Sequence, residues 1–383
     1  MHDGFQMVAR IPCPVTGPKF YATASEMATM RFLRASGLPV PEVYDCSPSS
    51  DNAAKTDYIF MEFMRGTKLS DAWMELEEPD MASVLRQVAQ LESRMMTGIP
   101  LNDQRFCVGP DARLHMWYGR RSQLDVDRGP YESPETALVT AARGENRDRY
   151  LLITPSLVPE SSLHDFRIRH PDLQPSNVIV LTSPGSNHLD IVGLLDWQHA
   201  AILPWFLLAG IPGRLQNYDG LDSQALIPPS LPVNVGELDQ SELNVAIGLY
   251  HRRLVHFHYV RNTEGYNKLH HDAWSDPVST FVRRLFDQAG APWEGEIHAL
   301  KATLMEAAGT WGRLTGEDVP CPVGFEPEDL RKMKELGAKL QLADENFEGC
   351  RGIVGFETVP EGEVRTKSKA NWFLDDMSEE SYM

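Results

Sequence analysis

One stretch of this 383-residue chain limits the possible folds more than any other: His170–Gln198, HPDLQPSNVIVLTSPGSNHLDIVGLLDWQ. His170, Asp172 and Asn177 stand in the spacing H-x-D-x-x-x-x-N. An apolar run, Val178–Leu181, follows, then a turn signal at Ser183–His188 (SPGSNH), then a second apolar run, Ile191–Leu195, ending in Asp196-Trp197. Two apolar runs joined by a Ser/Pro/Gly/Asn turn read as a β-hairpin. A hairpin returns its end to its start, so Asp196, nineteen positions after Asn177, is expected beside Asn177.

The spacing is that of a kinase catalytic loop. Transfer of a γ-phosphoryl group needs an acceptor hydroxyl held in line and a cation to neutralise phosphate charge. In that chemistry Asp172 accepts or orients the hydroxyl proton. Asn177 and Asp196 supply the oxygen ligands that a hard Mg²⁺ ion prefers. His170 is read as a hydrogen-bonding residue of the loop rather than as an acid or base.

These residues resemble the aminoglycoside phosphotransferase and choline-kinase-like branch of the protein-kinase-like fold, where the loop usually reads HGDLHPGN and the metal aspartate sits in an IDW or IDF context. ARIP, GPKFYATASEMATMRFL, HPDLQPSN and LLDWQHA, in that order, are similar to the fungal altered inheritance of mitochondria protein 9-like group. The resemblance spans roughly residues 1–355. It implies an α+β fold of two lobes, a small antiparallel-sheet N-lobe over residues 1–64 and a larger, mainly helical C-lobe over 65–355. It further implies use of ATP and Mg²⁺, a small-molecule acceptor and a mitochondrial link, with the cytoplasm as the other address.

The upstream segment is read in that light. Phe5–Ile11 has strand character, and Arg10 falls where kinases carry the phosphate-binding lysine; its planar fork suits phosphate oxygens. Lys19 is a second candidate, in a Gly/Pro-rich loop. A helix is expected from Thr23 or Ser25 to about Ala35. Its Glu26 either pairs with Arg10, as the resemblance implies, or caps the first turn. Only nine residues precede Arg10, which leaves no room for the two strands and glycine-containing loop that similar proteins carry there. The reading holds two consequences open, a start placed too late or crippled nucleotide binding; extension upstream is expected to raise ATP affinity. Residues 37–57 read as a loop. Tyr58–Phe63 reads as a strand leading into the hinge, where backbone groups near Glu62 to Met64 would bind the adenine edge; a buried strand alone would give the same pattern.

Further along, Asp80–Thr97 has helical spacing. Residues 98–148 read as an insertion with a short helix at 134–144, which either shapes the acceptor pocket or decorates the surface. Residues 212–236 read as a Gly/Pro-rich connection. Helices are expected over Glu237–Arg261, Val278–Gln288, Glu296–Thr310 and Pro327–Asn346. His256 and His258, two apart, face different sides of a helix and make a poor zinc pair, and His199, His251 and His270-His271 are read as structural. From residue 356 to 383 the chain turns polar and acidic, and this tail is read as disordered.

Composition excludes several classes. A net charge of −18 argues against a nucleic-acid surface. Five scattered cysteines without a C-x-x-C pair suit a reducing compartment. No apolar run approaches the roughly 18 residues of a membrane span, and no signal or transit peptide is legible.

Two loop positions depart from the family pattern: Gln174 replaces the usual second histidine and Ser176 the usual glycine. Asp172, Asn177 and Asp196 are retained. The leading reading is an ATP-dependent phosphotransferase acting on a hydroxyl. The alternatives are a pseudokinase-like nucleotide- or partner-binding protein and, more distantly, a metal-dependent hydrolase using the same aspartates.

Overall fold

In the computed structural model, residues 4–13, 18–99, 101, 103–117, 119–141, 146–159, 161–182, 188–290, 298–316 and 320–353 are described. Three short strands begin the fold. β1 (Met7–Arg10) and β2 (Val43–Ser47) both pair antiparallel with a central β3 (Tyr58–Glu62). The register sets Arg10 opposite Ile59 and Met7 opposite Glu62. Helix α1 (Lys19–Ala35) lies between β1 and β2 in sequence and packs Met30 and Leu33 into the core with Val40, Val43 and Ile59.

Two expectations are corrected here. Lys19 is the first residue of α1, not a loop residue, because Pro18 in an extended conformation is the cap and leads straight into the helix. Glu26 therefore lies about two turns in, too far for a first-turn capping role. Residues 37–57 are not all loop: they contain β2, an edge strand with a register shift between Val43 and Asp45 that gains its hydrogen bonds from β3.

The chain leaves this sheet after β3. Gly66 has φ +137°, and a Cβ there would lie 2.5 Å from the Val180 carbonyl oxygen, so a side chain would not fit. This close approach lets β4 (Thr67–Lys68) pair with β6 (Val178–Thr182), which pairs in turn with β7 (Leu189–Leu194). The expected hairpin is present; the turn signal at 183–187 lies outside the described residues. A third, two-stranded sheet joins β5 (Phe166–Ile168) to β8 (Ile202–Pro204), one strand on each side of the catalytic-loop stretch.

The rest is helical. A single turn, α2 (Leu69–Ala72), precedes α3 (Glu78–Thr97), whose Met81, Val84, Leu85, Val88 and Met95 are buried. Short α4 (Pro134–Ala141) and α5 (Arg147–Ile153) lead towards β5, and α6 (Trp205–Leu208) and α7 (Leu221–Gln224) follow β8. Then come α8 (Gln240–Tyr266), α9 (Lys268–Ser275), α10 (Pro277–Gly290) and α11 (His298–Thr315). An Asp239–Glu242 capping box starts α8, satisfying two backbone N–H groups reciprocally. Leu254, Val255, Tyr259 and Val260 of α8 join the α3 residues in one core cluster. The architecture is the expected α+β, small antiparallel sheets with a larger helical part.

From Gly324 onward the described residues belong to a second unit. Its helix α12 (Pro327–Ile353) carries Glu328 and Asp329 in the first turn and pairs Arg331 with Glu328 and Glu335, each at 2.7 Å. The tail assigned to 356–383 lies outside the described residues.

Candidate active site

The His170–Gln198 stretch is fixed by hydrogen bonds that converge on the main chain of Leu195. The Leu195 N–H donates to the Asn177 carbonyl at 2.8 Å, and the Leu195 carbonyl accepts from His170 Nε2 at 2.8 Å. His170 Nδ1 accepts from the Asp172 N–H at 3.1 Å. These bonds define a neutral ring with its proton on Nε2, and burial lowers the His170 pKa to about 4. His170 therefore stays uncharged at neutral pH and serves as a brace. Its ring lies 4.4 Å from that of Trp197, which is fully buried and donates Nε1–H to the Leu194 carbonyl. The two aromatic groups hold the loop against the end of β7.

Asp196 follows with φ +62° and His199 with φ +67°, both in the left-handed region that side chains other than glycine seldom adopt. His199 Nδ1 donates to the Ala112 carbonyl at 2.7 Å, the structural role expected of it. The Asp196 carboxylate meets Arg10 at the end of β1. There, Arg10 Nη2 donates to Asp196 Oδ1 and to Gln198 Oε1, each at 2.9 Å, while Arg10 Nε lies 2.8 Å from the Glu26 carboxylate. Arg10 and Asp196, 186 positions apart in sequence, thus meet through the Arg10 guanidinium. Glu26 is only 2% exposed. Burial raises its pKa to about 7, opposed by Arg10 and reinforced by Asp196. A buried carboxylate is tolerable here because a cation lies against it.

Asp172 shares its Oδ2 between two donors, Gln174 Nε2 at 2.5 Å and Asn177 Nδ2 at 3.3 Å. Asn177 Nδ2 also donates to the Asp172 carbonyl at 2.8 Å, so its amide oxygen diverges from that bond. Asn177 and Asp196 carry side-chain oxygens next to the bond from the Leu195 N–H to the Asn177 carbonyl. Among the described residues no group of three His, Cys, Asp or Glu side chains would hold a metal unaided. Two oxygen ligands completed by phosphate and water suit Mg²⁺, which commonly takes one or two protein ligands beside substrate phosphates. The residues present fit that ion and not a closed protein cage.

Glu62 and Met64, read in the sequence as leading into a hinge, are positioned as follows. Glu62 Oε2 accepts from Arg34 Nη1 at 2.8 Å and from the Glu42 N–H at 3.1 Å, so its side chain braces the sheet. The Met64 methyl would lie 3.1 Å from a Cβ built on Gly193, which places Met64 directly over β7. A third layer was not legible in the sequence. Arg169, just before His170, donates Nε–H to Glu92 of α3 at 2.8 Å and Nη2–H to the Gly210 carbonyl at 2.8 Å. Tyr259 of α8 donates its hydroxyl to the same glutamate at 2.6 Å. Glu92 and Tyr259 are fully buried, so this network ties the loop to both core helices. The signal available was a charged Glu92 on the apolar face of α3, which periodicity alone treats as an interruption.

Beside the loop lies a recess of about 600 Å³ whose lining includes His170, Pro171, His199, Arg113, His115 and Arg121. The insertion supplies the last three. The insertion therefore lines space next to the His170–Gln198 stretch.

The profile of the phosphotransferase enzyme family matches residues 3–206, just over half of the chain. A subtelomeric hrmA-associated cluster protein of Aspergillus fumigatus is 27% identical over 409 aligned residues, spanning 85% of this chain and 79% of that protein. Altered inheritance of mitochondria protein 9, mitochondrial, of Lodderomyces elongisporus is 26% identical over 301 residues, spanning 57% of this chain and 46% of that protein. Among solved structures, the GDP and kanamycin complex of APH(2")-IIia is 14% identical with a TM-score of 0.36, over 82% of this chain and 88% of that one. Aminoglycoside phosphotransferase APH(4)-Ia in ternary complex with AMP-PNP and hygromycin B is 14% identical with a TM-score of 0.36, over 79% and 88%.

Proposed function

This chain belongs to the phosphotransferase enzyme family, and we propose that it transfers the γ-phosphoryl group of ATP to a hydroxyl of a small molecule. The observation that carries the reading is the convergence on one guanidinium of Glu26 from α1 and Asp196 from the hairpin, with Asn177 linked to Asp196 through Leu195. In the proposed reaction the acceptor oxygen forms the new bond to γ-phosphorus as the bond to the ADP oxygen breaks. The acceptor proton passes to the Asp172 carboxylate. Arg10, held by Glu26, binds phosphate oxygens, and backbone groups of Glu62 to Met64 take the adenine edge where the lobes meet, with the boundary between residues 64 and 65. Asn177 and Asp196 would hold Mg²⁺, which supplies charge neutralisation of the phosphates. The recess beside Pro171 takes the acceptor.

A second reading, a nucleotide-binding protein without transfer activity, is favoured by one observation: Gln174, which replaces the usual histidine, donates a 2.5 Å bond to Asp172. That the altered inheritance relatives are named as mitochondrial proteins supports a mitochondrial address for this chain. The test is ADP release from ATP and Mg²⁺ across a panel of hydroxyl-bearing metabolites. A panel member that gives release in the wild type and not in Asp172→Asn supports transfer. ATP binding without any acceptor-dependent release supports the second reading.

A further inference from the structure

A cavity of about 660 Å³ lies on a different face of α1 from Glu26. Ala22, Thr23, Glu26, Met30 and Leu33 form the buried face of this helix. Ala24, Ser25, Ala28 and Phe32, offset around the helix, line the cavity. The far wall comes from the insertion, with Phe106, Cys107 and Tyr131, and from β5 and β8, with Phe166 and Ile202. The helix is tied to the insertion at both ends. Tyr21 meets Trp117 at 5.7 Å in the first turn, and Phe32 meets Phe106 edge-on at 5.4 Å in the last. Between these posts the small side chains of Ala24, Ser25 and Ala28 do not reach across.

The cavity opens to solvent on one side, past Tyr21, Cys107 and Val108, which are exposed, so a small molecule has a way in. Small-molecule sites are concave spaces of about 300–1,000 Å³ with apolar and aromatic walls and a few polar groups. This cavity has that character. Its charged groups are engaged: Asp111 accepts from the Arg113 Nε, Nη2 and backbone N–H groups, and Arg128 donates to the carbonyls of Met116, Leu124, Val126 and Arg121. Burial raises the Tyr131 pKa to about 12, so that hydroxyl is neutral. Walls of this kind favour an uncharged guest and disfavour a nucleotide.

We propose that this cavity is a second ligand site, for an uncharged and largely apolar small molecule, and that its occupant braces α1. The guest fills the gap between α1 and the insertion and so fixes the helix that presents Glu26 to Arg10. Binding there and binding of nucleotide at Arg10 are then reciprocally linked; this coupling alone rests on the phosphotransferase reading.

The test uses the whole chain and N-phenyl-1-naphthylamine, an uncharged apolar fluorophore, without ATP. Saturable binding with one site per chain is expected. Ala28→Trp, which fills the cavity from α1, is expected to weaken it at least tenfold while circular dichroism stays unchanged. In the wild type the probe is expected to slow maleimide labelling of Cys107, read by peptide mapping, and to leave Cys321 labelling unaltered. That arm needs no variant to fold. Absence of saturable binding, or binding with no protection of Cys107, overturns the site. Binding and protection with no change in ATP affinity overturn the bracing of α1. Because the first two readouts contain no nucleotide, they stand or fall apart from the phosphotransferase reading.

Discussion

The two halves of the candidate site are held by different forces. Around Leu195 the loop is fixed by a main-chain hydrogen bond to Asn177 and by a bond from the His170 ring, which is neutral and buried, to the Leu195 carbonyl. At Arg10 the fixing is done by charge: one guanidinium, 24% exposed, bridges the buried Glu26 and the half-exposed Asp196. Main-chain bonds within a hairpin tolerate changes of pH and salt, whereas an ion pair that gathers residues from three distant segments responds to both. The loop behaves as a fixed platform, and the Arg10 cluster is the adjustable part above it.

The largest expected effect separates chemistry from platform. Asp172→Asn keeps the shape of the loop and removes the proton acceptor, so acceptor-dependent turnover should fall by about 10²–10⁴ with nucleotide affinity retained. Parallel turnover and calorimetric measurements check this, and unchanged turnover would remove Asp172 from its role.

Next is the pH response of the adjustable part. The folded-state pKa of Glu26 is raised from 4.5 to about 7, so the folded protein holds a proton there that the unfolded chain releases. Its contribution is fully present below pH 4.5 and is lost as pH rises through about 7. The shift corresponds to about 3 kcal/mol. Denaturation midpoints measured across that window should fall with rising pH in the wild type more steeply than in Glu26→Gln. Equal slopes would show that burial does not raise the Glu26 pKa.

Tyr259→Phe probes the platform from below. It removes the 2.6 Å bond to the buried Glu92 carboxylate. A loss of about 1.5–3 kcal/mol in urea unfolding is expected. The smallest effect is expected for Lys19→Ala. Lys19 is exposed at the start of α1, so stability should stay within about 0.5 kcal/mol and ATP affinity should be unchanged. A large loss of affinity would move the phosphate-binding role from Arg10 to Lys19.

The same contrast governs what could be read from the sequence. The hairpin was legible because everything it needs lies within thirty consecutive residues, with apolar runs, turn residues and acids in one window. The pairing of Arg10 with Glu26 was legible only through family resemblance, since periodicity places Glu26 equally well in a cap. The start of α1 was misplaced because its cap is Pro18, which makes no side-chain hydrogen bond, so the usual Ser/Thr signal pointed too late. β2 was missed because it is a half-exposed edge strand flanked by prolines, and β3 supplies its hydrogen bonds. The Arg169–Glu92–Tyr259 network links residues as far as 167 positions apart, and no local pattern encodes it.

The most direct test of the site is calorimetric titration of ATP with Mg²⁺ into the wild type and Asp196→Ala. Mg²⁺-dependent binding in the wild type that is lost in the variant is the expected result. Equal binding by both proteins would contradict the assignment of Asp196, and with it the placement of the nucleotide between Arg10 and the hairpin.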